Sequence, residues 1–119
     1  MALLNKQNII DAADIHYKTI AVPEWGGEVR IRSLTAAQRD NYETLLMAQP
    51  KHDGMLRLDN VRARFAVMSV VDDAGELVFT DADIETLAKK SASALGRIYD
   101  AVTALNAIAA ADVEELAKN

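Results

Sequence analysis

Apolar residues recur along this chain with two different periods. Between Tyr17 and Arg32 the period is short: Tyr17 to Val22 is β-prone, and Glu28 to Arg32 alternates charged residues with Val29 and Ile31. Joined by Pro23-Glu24-Trp25-Gly26-Gly27, the two runs predict a β-hairpin over about residues 15–32. Pro23 suits a strand end, where no ladder donor is needed. Gly26 and Gly27 are expected to supply positive φ at the turn. Arg30 and Arg32 then share one strand face, opposite Val29 and Ile31.

Elsewhere the period is helical. Asn5 predicts the N-cap of a helix over about residues 6–14, with Ile9 and Ile10 facing inward. Thr35-Ala36-Ala37-Gln38 has capping-box spacing and opens a helix over 36–48, whose buried stripe is Tyr42, Leu45 and Leu46. Pro50 ends it, because the residue before a proline avoids helical geometry. After a loop at Lys51 to Gly54, a helix is expected over 55–71, with Leu58, Val61, Phe65 and Met68 on one face. Its end, Ala66 to Val71, is apolar nearly all round and reads equally as a buried strand. Asp72 to Glu76 reads as a turn, and Leu77-Val78-Phe79 as a short extended piece that adds to the hairpin sheet.

Thr80 caps a short helix over 81–89, with Ile84 and Leu87 inward and Asp81 and Asp83 near its positive end. Ser91 or Ser93 caps the next, over 92–109, where Leu95, Ile98, Tyr99, Val102 and Leu105 form a clean stripe. Asp112-Val113-Glu114-Glu115 repeats the capping-box spacing and predicts a short last helix over 112–118. The sum is a single α+β domain spanning 1–119. It is mainly helical, with four to five helices packed on a small antiparallel hairpin or three-stranded sheet.

Composition narrows the function. The chain has no cysteine, which removes disulfides and thiolate chemistry and fits a reducing compartment. No apolar run approaches the roughly 20 residues that span a bilayer, and Met1 to Lys6 lacks the pattern of a signal peptide. The protein is expected to stay where it is made. The net charge of −5 is uneven: residues 72–119 carry ten acidic and four basic side chains, whereas residues 28–71 carry five acidic and seven basic. An acidic C-terminal half repels phosphate backbones, which argues against nucleic acid as a principal partner.

Catalytic signals are sparse. His16 and His52 stand apart, in no metal-ligand spacing, and read as a strand-edge residue and a loop residue. No nucleophile elbow, P-loop or dinucleotide fingerprint occurs. Asp72, Asp73 and Glu76 around Gly75 suggest calcium superficially, but Val70 stands where the EF-hand pattern needs an acid. Asp81, Asp83 and Glu85 are explained more simply by a capped first turn. Catalytic, cofactor and metal residues are therefore expected to be absent. What remains points to binding: Arg30 and Arg32, with Arg57, Arg62 and Arg64, make either a basic surface for an acidic partner or scattered charges on a wet face. Trp25 at the hairpin tip either folds over the core or stands out as an interface anchor.

Several stretches together resemble the tail assembly chaperones of long-tailed, siphovirus-type bacteriophages and prophages. They are Val22 to Arg32 followed by Leu34-Thr35, then Phe79-Thr80-Asp81-Ala82-Asp83, Lys90-Ser91-Ala92-Ser93-Ala94-Leu95, and the acidic ending Val113-Glu114-Glu115-Leu116. They are structural words, and their combination and order carry the likeness over most of the chain. The resemblance implies a non-enzymatic protein, without cofactor, that coats the tape measure protein and helps recruit tail-tube subunits. It also implies a place in the host bacterial cytoplasm and absence from the mature virion. Self-association, and a longer form made by ribosomal frameshifting near codons such as those of Lys118-Asn119, belong to the same expectation. Within the chain, Trp25, Arg30 and Arg32 are the expected partner-binding residues.

Two other functions compete. One is a structural virion protein, such as a head–tail connector or minor tail component. The other is a small enzyme or metal-dependent hydrolase, suggested only by the acids between Asp72 and Glu85.

Overall fold

The computed structural model describes residues 2–48 and 59–118, with side chains to residue 107. Its elements are α1 (Lys6–Asp11), β1 (Tyr17–Val22), β2 (Gly27–Arg32), α2 (Ala36–Met47), α3 (Val61–Ser69), β3 (Val70–Val71), α4 (Ile84–Ala88) and α5 (Ala92–Lys118). The three strands form one antiparallel sheet in the order β1-β2-β3. Five helices on a three-stranded antiparallel sheet make the fold α+β and mainly helical.

The hairpin register runs from Tyr17 opposite Arg32 to Val22 opposite Gly27. Its tip is more elaborate than a two-glycine turn. Pro23, Glu24 and Trp25 form a 3-10 turn with Pro23 at its start, where its missing N–H and fixed φ cost nothing. Gly26 closes that turn in the left-handed region at φ 73°. Gly27, expected to share this role, lies in β2 as the partner of Val22. One residue of positive φ suffices because the 3-10 turn has already reversed most of the chain.

The end of α3 resolves the ambiguity between helix and strand at one residue. Helix persists through Ser69, whose Oγ donates to the Phe65 carbonyl at 2.6 Å. Val70 and Val71 then pair with Ile31 and Arg30. The third strand is thus Val70–Val71, and Leu77 adds only a bridge to Val71. The start expected at Met55 and the residue Leu58 lie outside the described residues. Inside the described helix, the fully buried positions are Ala63, Ala66, Val67 and Ser69, whereas Val61, Phe65 and Met68 are only half-buried. The last turns of α3 are apolar on several faces. The small one meets the core, because alanines let a neighbouring helix approach closely.

That core joins Ile31 of the sheet to Ala63, Ala66 and Val67 of α3, Ile84 and Leu87 of α4, and Leu95, Ile98, Val102 and Leu105 of α5. Ser91 Oγ caps α5 by accepting from the Ala94 N–H at 3.2 Å. The break expected before Asp112 does not occur, since α5 is continuous to Lys118. Ala109, Ala110 and Ala111 are the best helix formers available, and no Gly or Pro interrupts them, so capping-box spacing alone ends nothing.

α2 carries the Thr35–Gln38 capping box. Its Gln38 also donates from Nε2 to the Met68 carbonyl at 2.9 Å. Tyr42, Leu45 and Leu46 are half-buried rather than core. α1 departs furthest from expectation. Asn5 and Asn8 cap it reciprocally, yet it buries nothing, and Ile9 and Ile10 are 59% and 62% exposed. Six residues are too few to build an inward stripe, and α3, α4 and α5 already supply the core partners of the sheet.

Candidate partner-binding site

The hairpin tip is fastened to α5 by Glu24. Its carboxylate accepts from Arg97 Nε at 2.9 and 3.0 Å and from the Ser93 hydroxyl. Ser93 and Arg97 are one turn apart on α5, so a single carboxylate meets both. The Ser93 hydrogen bond, then the turn's own backbone N–H and Arg97, hold the Glu24 carboxyl down at about 2 from its ordinary 4.5. The clasp is therefore ionised at neutral pH.

Beside it, Trp25 forms one wall of an apolar pocket of about 250 Å³, with Phe79, Thr86 and Leu87, rimmed by Asp83 and Lys90. Trp25 is 37% exposed. Neither reading of it is complete: the ring helps to line a pocket on α4 and also faces solvent. Asp83 belongs to the turn leading into α4, and its Oδ2 accepts the Thr80 N–H at 2.9 Å, which fixes Phe79 nearby. A pocket with an aromatic wall, an apolar floor and two opposite charges on its rim suits one or two apolar side chains from a partner.

Of the three expected partner-binding residues, Arg30 and Arg32 are neighbours on one face of β2, and Trp25 is separate from them. Trp25 stands at the closed end of the hairpin, whereas Arg32 lies at the open end opposite Tyr17. Arg30 is engaged within the fold: its guanidinium lies 4.4 Å from the centre of the Tyr17 ring, and Nη1 donates to the carbonyls of Asp72 and Asp73 at 3.4 and 3.2 Å. Arg32 is half-buried, and its Nε is buried without an acceptor among the described residues. Arg62 lies over the Tyr99 ring at 5.7 Å, and Arg64 Nε donates to the Asp59 carbonyl at 2.8 Å. Arg30, Arg62 and Arg64 are thus each engaged within the fold. Arg57 lies outside the described residues.

The acids have structural duties as well. Asp72 Oδ1 accepts the N–H groups of Ala74 and Glu76 at 2.9 and 3.0 Å, and Gly75 takes φ 84° in that turn. Among the described residues, no three acidic or histidine side chains converge to hold a metal. His16 is exposed and His52 lies outside the described residues.

Two other concavities flank Tyr42. A groove of about 330 Å³ runs over Phe65 and Tyr99 between α2 and α5. A larger cleft of about 630 Å³ lies between Leu46, Val61 and Leu95. The tip pocket is the one that combines an expected anchor with a largely apolar lining. Sequence reasoning missed Phe79, Leu87 and Lys90 as its companions, and Glu24 and Arg97 as its fastening. The Ser93–Arg97 spacing was the available signal, but nothing local pairs it with residue 24.

Comparison with known proteins bears on the whole chain. No curated protein sequence matches it. The solved structure of the bacteriophage HK97 tail assembly chaperone is similar in fold, with a TM-score of 0.59 at 19% identity, covering 83% of this chain and 90% of that one. The sequence profile of the phage tail assembly chaperones matches residues 5–119. With an α+β fold and a match that takes in the hairpin, the tip pocket and α5 alike, this chain belongs to the phage tail assembly chaperone family.

Proposed function

We propose that the chain is a non-enzymatic chaperone that binds the tape measure protein and helps recruit tail-tube subunits. It would act in the host bacterial cytoplasm and be left out of the mature virion. The observation that carries this reading is the tip pocket, a small apolar recess presented by a fastened hairpin in a member of this family. A tape measure protein is long and largely helical. Apolar side chains along such a helix are suitable occupants of a recess walled by Trp25, Phe79 and Leu87, and the Asp83 and Lys90 rim would set their orientation.

The test is co-expression with the tape-measure-like product of the same operon. The chaperone should keep that product soluble and co-purify with it, and Trp25→Ala should abolish the association. Lys90→Glu, on the exposed rim, should weaken it without touching the fold. Two proteins that stay apart at low salt would sink the proposal. Stoichiometric presence of the chain in purified particles, measured by mass spectrometry, would favour the structural virion protein instead.

A further inference from the structure

The N-terminal arm is unaccounted for by the tip pocket. Leu3 and Leu4 are 100% and 65% exposed, Ile9 and Ile10 nearly as much as Leu4, and α1 buries no residue at all. A capped helix that offers two adjacent isoleucines to water is a segment shaped for a partner.

We propose that this arm docks, through Ile9 and Ile10, into the tip pocket of a second copy of the chain. The proposal rests on that pocket being the client site; client and arm then exclude one another, and the free chaperone is self-capped.

Three observations favour the second copy. The first is size. A closed apolar cavity of about 150 Å³ accepts benzene, so an open pocket of about 250 Å³ has room for a pair of aliphatic side chains. The second is charge order. The pocket rim carries Asp83 just before α4 and Lys90 just after it, opposite charges at the two ends of a five-residue helix. α1 carries Lys6 at its start and Asp11 at its end. Laid along α4 in the same direction, Lys6 meets Asp83 and Asp11 meets Lys90. The reverse direction sets like charges together at both ends.

The third observation is connection. The arm joins the sheet at Tyr17, at the open end of the hairpin, and the pocket lies at the closed end beyond Val22. To reach its own pocket, the link from Ala12 to His16 would have to double back along the full length of β1. Docking on another copy imposes no such path.

The full chain, without any client, provides the test, and Trp25 is its only tryptophan. Wild-type mass should rise with concentration by size-exclusion chromatography with light scattering, and Trp25 emission should shift to the blue over the same range. The double variant Ile9→Asp/Ile10→Asp, altered only at exposed positions, should move the association midpoint at least about tenfold upward and abolish the emission shift. Lys90→Glu should weaken association similarly, and adding Asp11→Lys should restore part of it.

An arm variant with unchanged mass and emission overturns the proposal. So does an arm-dependent emission that is independent of concentration, which would mean docking on the chain's own pocket. A charge exchange without recovery overturns the stated orientation and, with it, the proposal. Failure here leaves co-purification with the tape measure product untouched, and failure of co-purification leaves the mass measurements untouched, so the two readings fall separately.

Discussion

The hairpin tip and the N-terminal arm both begin with good local chemistry, and only one of them is built into the domain. The arm has a reciprocal Asn5–Asn8 cap. The tip has Pro23 and Gly26 where a tight turn needs them. What separates them is reach: Glu24 finds Ser93 and Arg97 across the chain, and Val22 is fully buried, whereas nothing in α1 is buried. A cap decides where a helix starts, and a distant partner decides whether it belongs to the core.

The sharpest way to break this comparison is to truncate one isoleucine in each setting. Ile98→Ala, at a fully buried position in α5, should cost about 2–5 kcal/mol in urea unfolding. Ile9→Ala should fall within about 0.5 kcal/mol of wild type at concentrations where the chain is monomeric. Equal losses would mean that α1 is part of the core after all.

A second test contrasts neighbouring glycines. Gly26→Ala should destabilise by about 1–2 kcal/mol, because an added Cβ meets no atom but must sit at positive φ. Gly27→Ala, equally unobstructed and in extended backbone, should be tolerated. A third contrasts the caps: Thr35→Ala should cost about 1 kcal/mol, since its box anchors α2 to the body through Gln38. Asn5→Ala should lower helicity at the terminus and leave the unfolding midpoint unchanged.

The smallest expected effect comes from the clasp, which is at the surface and open to salt. Glu24 has a folded-state pKa of about 2, below its ordinary 4.5. Its contribution is therefore complete above about 4.5 and is lost as pH falls toward about 2. The stability difference between wild type and Glu24→Gln should shrink across that window and be flat above it. A difference that grows on acidification would show that the clasp does not hold the ionised carboxylate.

Much of the fold was legible in sequence because its signals are local. The alternation at Val29 and Ile31, the Thr35–Gln38 box and the Leu95-to-Leu105 stripe are each set within a few residues, and the structure carries all three. Where expectation failed, a local signal had lost to a distant one. Asp112 has the spacing of a cap but follows a run of alanines that keeps the helix going. Ile9 and Ile10 look like a buried pair until α3, α4 and α5 are seen to have taken the sheet already. Phe65, expected on the core face of α3, packs only at the core's edge, where it meets rings on two other helices, Tyr42 at 5.1 Å and Tyr99 at 4.9 Å. Of the site, Trp25 was legible as an unusual residue in a turn. Phe79, Leu87 and Lys90 were not, because only the docking of α4 beside the tip makes them neighbours.

The clasp between residues 24 and 97 also orders events in time. Chains are made from the N-terminus at about 5–20 residues per second, so the hairpin can form its ladder well before its fastening exists. Trp25 can be locked beside α4 only after Ser93 and Arg97 have been added and the first turns of α5 have formed. A contact of such sequence separation is entropically late. Its loss should therefore quicken unfolding while leaving the folding rate nearly as it was. The nascent chain consequently has a tip without a finished recess until the first turns of α5 are in place.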